Sequence, residues 1–182
     1  MNRKDMFTIP NILSYVRLLL IPVFVHAYLT AESGREFYQA GGILFFSGLT
    51  DALDGFIARR FNQSSQLGQL IDPIADKLTQ LAVVGVLMIR WPVFLFLFLL
   101  FLFKESYMFI ENIRLYRQGK TLDGAEWYGK IATIVFYVSM LLAVLLPGLN
   151  DALIWLIAGL ASFFQLIAFY NYNRLFRAMH KM

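Results

Sequence analysis

This sequence predicts an all-α integral membrane protein with six transmembrane helices. Three observations predict it. The chain is 59% hydrophobic and only 15% charged over 182 residues, against roughly 25% charged in ordinary soluble domains. Six apolar stretches each come close to the ~20 residues that a helix needs to cross the hydrocarbon core. The basic residues gather in alternate connections, as they do in multi-pass proteins.

The first stretch runs from near Asn11 to Leu29, with Pro22 as an expected kink. A basic start, Met1-Asn2-Arg3-Lys4-Asp5, precedes it, and no small-residue cleavage site follows. A retained helix is therefore expected rather than a signal peptide. The second stretch runs from near Phe37 to about Ala58, and the third from about Leu70 to Met88. Within the third, Asp72-Pro73 reads as a helix start, with Asp as N-cap and Pro at the first helical position. The alternative is a helix that continues upstream through Leu70 with a local kink. The fourth stretch starts at Pro92, which suits a first turn, and continues to about Ile113. Its run Val93–Phe103, with five phenylalanines, is expected to face lipid. The fifth runs from about Tyr128 to Leu146 and stops at Pro147-Gly148; the sixth runs from about Ala152 to Tyr172. No linker, charge block or internal repeat divides the chain, so residues 1–182 are expected to form one domain.

An even number of spans puts both termini on one side. That side holds Arg3, Lys4, Arg59, Arg60, Arg114, Arg117, Lys120, Lys130, Arg174, Arg177 and Lys181, while the other holds only Arg35 and Arg90. The positive-inside rule then places both termini and the connection after Ala58 in the cytoplasm. The same asymmetry accounts for the net charge of +4 without a nucleic-acid partner. Trp91, Trp127 and Trp155 lie near proposed span ends and read as interfacial anchors. There are no cysteines, which excludes disulfides, thiolate nucleophiles and Cys-based zinc sites.

Four aspartates stand out inside this apolar chain: Asp51-x2-Asp54-Gly55-x2-Ala58-Arg59-x8-Gly68-x3-Asp72-x3-Asp76. Charge within a bilayer is costly, so such carboxylates point to function. Asp51 and Asp54, three apart, share a helix face, as do Asp72 and Asp76, four apart. A short connection makes the two helices antiparallel neighbours, so all four carboxylates are expected to converge near the cytoplasmic end. Converging carboxylates need compensating charge. Hard oxygen donors without His or Cys suit Mg²⁺, Mn²⁺ or Ca²⁺. Two such ions would bind a diphosphate and neutralise its leaving group. Gly55 and Ala58 permit close approach of a backbone or flat ligand. Arg59 can bind phosphate, and Gly68 would permit a tight return between the helices.

These eight fixed positions match the signature of the CDP-alcohol phosphotransferases, which this chain resembles. The stretches Ile9-Pro10-Asn11-Ile12-Leu13-Ser14-Tyr15-Val16-Arg17 and Leu49–Arg60 are similar to those of bacterial phosphatidylglycerophosphate synthases. The close similarity covers about residues 8–90. The resemblance implies a six-helix enzyme of the bacterial cytoplasmic membrane, commonly a homodimer, with two Mg²⁺ or Mn²⁺ ions. It implies transfer of a phosphatidyl group from CDP-diacylglycerol to an alcohol, with release of CMP. By position it implies Asp51, Asp54, Asp72 and Asp76 as metal ligands, and Asp76 also as general base. It implies contacts to the CDP moiety from Ser14, Arg17, Gly55, Ala58, Arg59, Ser65 and Gly68. Lys77 would balance charge or form a structural ion pair.

The favoured acceptor is glycerol 3-phosphate, whose phosphate would be met by Lys104, Arg114 and Lys130. Here the chain departs from the phosphatidylglycerophosphate synthases. It has Lys104-Glu105 where they commonly carry Arg-Glu, and Gly129-Lys130-Ile131-Ala132-Thr133 where they carry Gly-Lys-x-Lys-Thr. Glu111 is spaced to pair with Arg114, and Arg117 and Lys120 read as cytoplasmic anchors. His26 and His180 read as isolated. The nearest alternative is a cardiolipin synthase of the same type, with phosphatidylglycerol as acceptor. A carboxylate-lined cation transporter is the alternative from another class; against it stand the missing repeats and the one-sided carboxylates.

Overall fold

The computed structural model describes residues 8–61, 66–120 and 126–181. Six helices make up the described chain: α1 Ile9–Leu29, α2 Gly34–Arg60, α3 Gln66–Arg90, α4 Phe94–Arg117, α5 Trp127–Leu145 and α6 Asp151–Lys181. No strand occurs among the described residues. Six predicted spans thus meet six helices. By length and composition α1, α5 and α6 are apolar enough to cross a membrane. The other three are interrupted by ionisable residues: Asp51 and Asp54 in α2, Asp72, Asp76 and Lys77 in α3, and Lys104, Glu105, Glu111 and Arg114 in α4.

Local chemistry sets the helix ends. Thr8 caps α1, its hydroxyl accepting from the Asn11 amide at 3.4 Å, and Pro10 occupies the first turn, where no amide is needed. Glu36 reaches back over the start of α2 and accepts from the amides of Glu32 (2.7 Å) and Ser33 (2.9 Å), which satisfies two groups that a helix start leaves open. Pro73 lies inside α3 rather than at its start. The helix begins at Gln66, so the upstream continuation is the one adopted and Asp72 is no N-cap. Gly68 accordingly belongs to α3 and not to the connection before it. Pro92 precedes α4: the amides of Phe94 and Leu95 bond to the carbonyls of Trp91 (3.0 Å) and Pro92 (2.9 Å) in a turn that leads into the helix. The 31-residue α6 is about 46 Å long at 1.5 Å per residue. It outruns the ~30 Å hydrocarbon core, which is why it continues past the predicted end at Tyr172 into Asn173, Arg174 and Arg177.

Internal contacts divide the chain into two compact units. The first takes in Met1–Val86 and Leu141–Gly148, the second Leu87–Met140 and Leu149–Met182. In the first unit α1 packs along α2. Tyr28 joins them, its ring set edge-on to Phe37 at 5.5 Å. Gly41 faces Leu145 so closely that a Cβ there would overlap the leucine side chain. In the second unit α4 packs on α6, with Tyr107 edge-on to Phe169 at 5.2 Å and to Phe176 at 6.2 Å. Tyr172 meets Tyr128 at 4.8 Å, and its hydroxyl occupies the space beside Gly129.

Both units bury polar groups and expose apolar ones. Asn11, Ser14, Arg17, Thr50, Asp54 and Gln80 are buried in the first unit, and Lys104, Glu111 and Gln165 in the second. Leu19, Phe45, Phe103, Trp155 and Phe163 are exposed. That distribution suits hydrocarbon as the surrounding solvent. The run Val93–Phe103 does not face outward as a whole. Phe94, Leu97 and Phe101 are buried, at the spacing of one helix stripe, while Leu95, Phe96, Leu99 and Phe103 remain exposed.

Candidate active site

The first unit gathers the aspartates around a polar stripe on α1. Asn11, Ser14 and Arg17 recur every three residues, so they share one helix face, and all three are fully buried. A buried guanidinium needs anionic partners, and Arg17 has two. Its Nη1 pairs with Asp51 Oδ1 and its Nη2 with Asp54 Oδ2. The planar fork of arginine suits this bridge, because two nitrogens reach two carboxylates one helical turn apart. Asp54 is itself buried, while Asp51 keeps 41% of its side chain exposed. The pair therefore has a dry side, held by α1, and an open side.

One turn earlier on α1, Ser14 Oγ donates to Asp72 Oδ1. The Pro10 carbonyl, 3.1 Å away, is the alternative acceptor for the same single proton. Asp76 sits one turn on from Asp72. Its Oδ1 accepts from Gln80 Nε2 at 2.9 Å, and its Oδ2 lies 3.4 Å from Lys77 Nζ. Asp72 and Asp76 lie close enough to Asp51 for their charges to act on it. So α1, α2 and α3 all contribute to one carboxylate cluster.

Does this cluster suit divalent ions? Its donors are all oxygens, the hard set that Mg²⁺ and Mn²⁺ take. Among the described residues no three acidic or histidine side chains are arranged as a ready metal cage. Asp51 and Asp54 are turned to Arg17, and Asp72 to Ser14. The residue types fit the ions, and side-chain rotation within the cluster is what a cage requires.

The remaining sequence-predicted residues are distributed as follows. Gly55, Ala58 and Arg59 continue α2, and Gly68 is buried in α3. The side chains of Ala58 and Arg59, and all of Ser65, lie outside the described residues. Lys104, Arg114 and Lys130 belong to the second unit. Lys104 is buried and committed to protein partners, Gln165 Oε1 at 2.7 Å and Glu105 Oε1 at 2.8 Å. Arg114 is exposed and pairs with Glu111 at 2.5 Å, as its spacing predicted. Lys120 Nζ donates to the Met179 carbonyl at 2.6 Å. Lys130 is exposed at the start of α5. His180 is not isolated: its Nε2 lies 2.8 Å from Glu111 and its Nδ1 3.2 Å from Gln118.

Two features escaped the sequence reading. Arg17 was expected near a nucleotide, not as the bridge between Asp51 and Asp54. A lone arginine within an apolar span was the available signal, since such a charge requires a partner. Gln80 was not singled out, although its four-residue spacing from Asp76 marks a side-chain pair on one helix face.

Comparison with known proteins adds an independent line. The family model described as CDP-alcohol phosphatidyltransferase matches residues 7–164. A protein of Streptomyces coelicolor named cardiolipin synthase (CMP-forming) is 38% identical over 161 residues, which covers 86% of this chain and 72% of that protein. The human protein of the same name is 51% identical over 76 residues, 41% of this chain and 24% of its own. A Pseudomonas fluorescens protein named CDP-diacylglycerol–glycerol-3-phosphate 3-phosphatidyltransferase is 39% identical over 82 residues, 45% of this chain and 41% of its own.

Proposed function

The chain belongs to the CDP-alcohol phosphatidyltransferase family, and from that membership we propose that it transfers the phosphatidyl group of CDP-diacylglycerol to an alcohol in the membrane, releasing CMP. The observation that carries this reading is the constellation of buried Arg17, Ser14 and Asp54 with the partly open Asp51 and Asp72 among apolar helices. Ionised groups persist in such surroundings at high cost, which favours function over packing.

The roles proposed for these residues come from the family resemblance, and the clustering of the aspartates supports them. Asp51, Asp54, Asp72 and Asp76 would hold two divalent ions, Mg²⁺ or Mn²⁺. Bound there, the ions supply charge neutralisation for the diphosphate and its leaving group. Asp76 accepts the proton of the acceptor hydroxyl. Gln80 donates to its Oδ1, which sets the carboxylate plane, and Lys77 lies beside Oδ2, the oxygen proposed to take the proton. The acceptor oxygen forms a bond to the phosphorus that carries diacylglycerol. The bond from that phosphorus to the bridging oxygen breaks, and CMP leaves with the electron pair. Ser14, Arg17, Gly55, Ala58, Arg59, Ser65 and Gly68 would line the CDP moiety. The one-sided basic residues favour a site opening to the cytoplasm of a bacterial membrane, and the family resemblance favours a homodimer.

For the acceptor we favour phosphatidylglycerol, which makes the product cardiolipin. The S. coelicolor relative, aligned over most of this chain, bears that name. Of the basic side chains proposed for a phosphate monoester, Lys104 and Arg114 are engaged by neighbours in their own unit, which favours a lipid acceptor, while Lys130 is exposed at the start of α5. Glycerol 3-phosphate is the second reading, supported by the P. fluorescens relative and by the stretch Ile9–Arg17. Purified protein given labelled CDP-diacylglycerol and both acceptors at equal concentration decides between them. Label is expected in cardiolipin. Label in phosphatidylglycerophosphate instead would overturn the acceptor assignment and leave the transferase reading standing.

A further inference from the structure

Arg17 is the one residue of the cluster whose role is not accounted for by ligand binding alone. Its guanidinium is fully buried and is aimed at carboxylates rather than into open space. It bridges Asp51 and Asp54, two of the four residues proposed to hold divalent ions. Asp54 on the dry side has almost no access to solvent. A guanidinium and a divalent cation seek the same thing from these carboxylates: full electrostatic compensation at close range. A guanidinium held against these carboxylates takes up part of their lone-pair capacity and opposes a second cation by like charge, so the two compete for them.

We propose that Arg17 is an exchangeable internal counter-ion, which holds Asp51 and Asp54 together and yields them when a divalent cation binds. This rests on the aspartates being the metal ligands. Two consequences follow. The carboxylates stay compensated within the bilayer whether or not an ion is present, so the apolar bundle never carries a naked acidic cluster. The affinity for the ion is also set against an existing ion pair, which makes metal binding weaker than the carboxylates alone would give. Ser14 differs in kind: its bond to Asp72 is neutral and orients the carboxylate without competing for it as a charge.

The test uses full-length protein in detergent micelles with Mn²⁺ as probe, free ion being counted by its paramagnetic resonance signal. Arg17→Gln is expected to bind Mn²⁺ about tenfold tighter or more than wild type, since a competing unit charge at contact distance is removed. It is also expected to melt below wild type in EDTA and to recover with Mn²⁺. Arg17→Lys, whose single ammonium cannot bridge both carboxylates, should fall between the two. Asp54→Asn should weaken Mn²⁺ binding in either background. Unchanged or weaker Mn²⁺ binding by Arg17→Gln, with Asp54→Asn still weakening it, overturns the exchange and leaves the metal site standing. If Arg17→Gln does not fold, Arg17→Lys decides: affinity at or below wild type overturns the proposal. Absence of saturable Mn²⁺ binding in folded wild type and all variants removes the metal reading and this proposal with it.

Discussion

Asp76→Asn is expected to lower CMP release by about 10²–10⁴-fold, the range over which a positioned general base contributes. The substitution is nearly isosteric. The amide oxygen of Asn can still accept from Gln80 Nε2, now 2.9 Å from Asp76 Oδ1, so the local packing is preserved. What is lost is the negative charge and the ability to take a proton from the acceptor hydroxyl. Lys77, 3.4 Å away, also loses a partner, but it is partly exposed and this costs little. The melting temperature in detergent should stay near that of wild type, which separates a chemical loss from an unfolded protein. Single-turnover release of CMP by Asp76→Asn within tenfold of wild type would remove the base assignment.

Asp54→Asn acts on both fold and chemistry. Asp54 is buried, and its carboxylate shares Arg17 with Asp51. Neutralising it leaves a fully buried guanidinium with one full anionic partner. Breaking a buried ion pair from one side costs about 3–5 kcal/mol; the low end applies here, because the amide oxygen still accepts a hydrogen bond. The variant is expected to melt well below wild type in EDTA and to release no measurable CMP. Asp51→Asn, with its carboxylate partly open, should be equally inactive and less destabilised. Equal melting of wild type and Asp54→Asn would show that Arg17 does not depend on this carboxylate.

The helices were legible because hydrophobic length leaves little freedom in a bilayer. Their ends were less so, for identifiable reasons. Asp72-Pro73 carries a helix-start signal, yet a proline can also be accommodated inside a helix when only one backbone bond is given up. The phenylalanine run in α4 was read as uniform because composition hides the stripe made by Phe94, Leu97 and Phe101. The carboxylate cluster was legible from spacing on α2 and α3, since helical periodicity fixes which side chains share a face. The partners of those carboxylates were not. Arg17 is 34 residues before Asp51 in the chain, and no local pattern joins α1 to α2 or tells which cation meets which anion. For the same reason Lys104 read as a candidate acceptor contact, whereas its partner Gln165 lies on α6.

The central claim is divalent-ion-dependent phosphatidyl transfer from CDP-diacylglycerol, and CMP release by the purified protein tests it most directly. Protein in mixed micelles would receive CDP-diacylglycerol and acceptor, first with EDTA and then with excess Mg²⁺ or Mn²⁺. The account predicts CMP only when lipid donor, alcohol and divalent ion are all present, none from Asp54→Asn, and about 10²–10⁴-fold less from Asp76→Asn under the same conditions. Folded protein that releases no CMP with any acceptor, or that releases it undiminished in EDTA, would contradict the account.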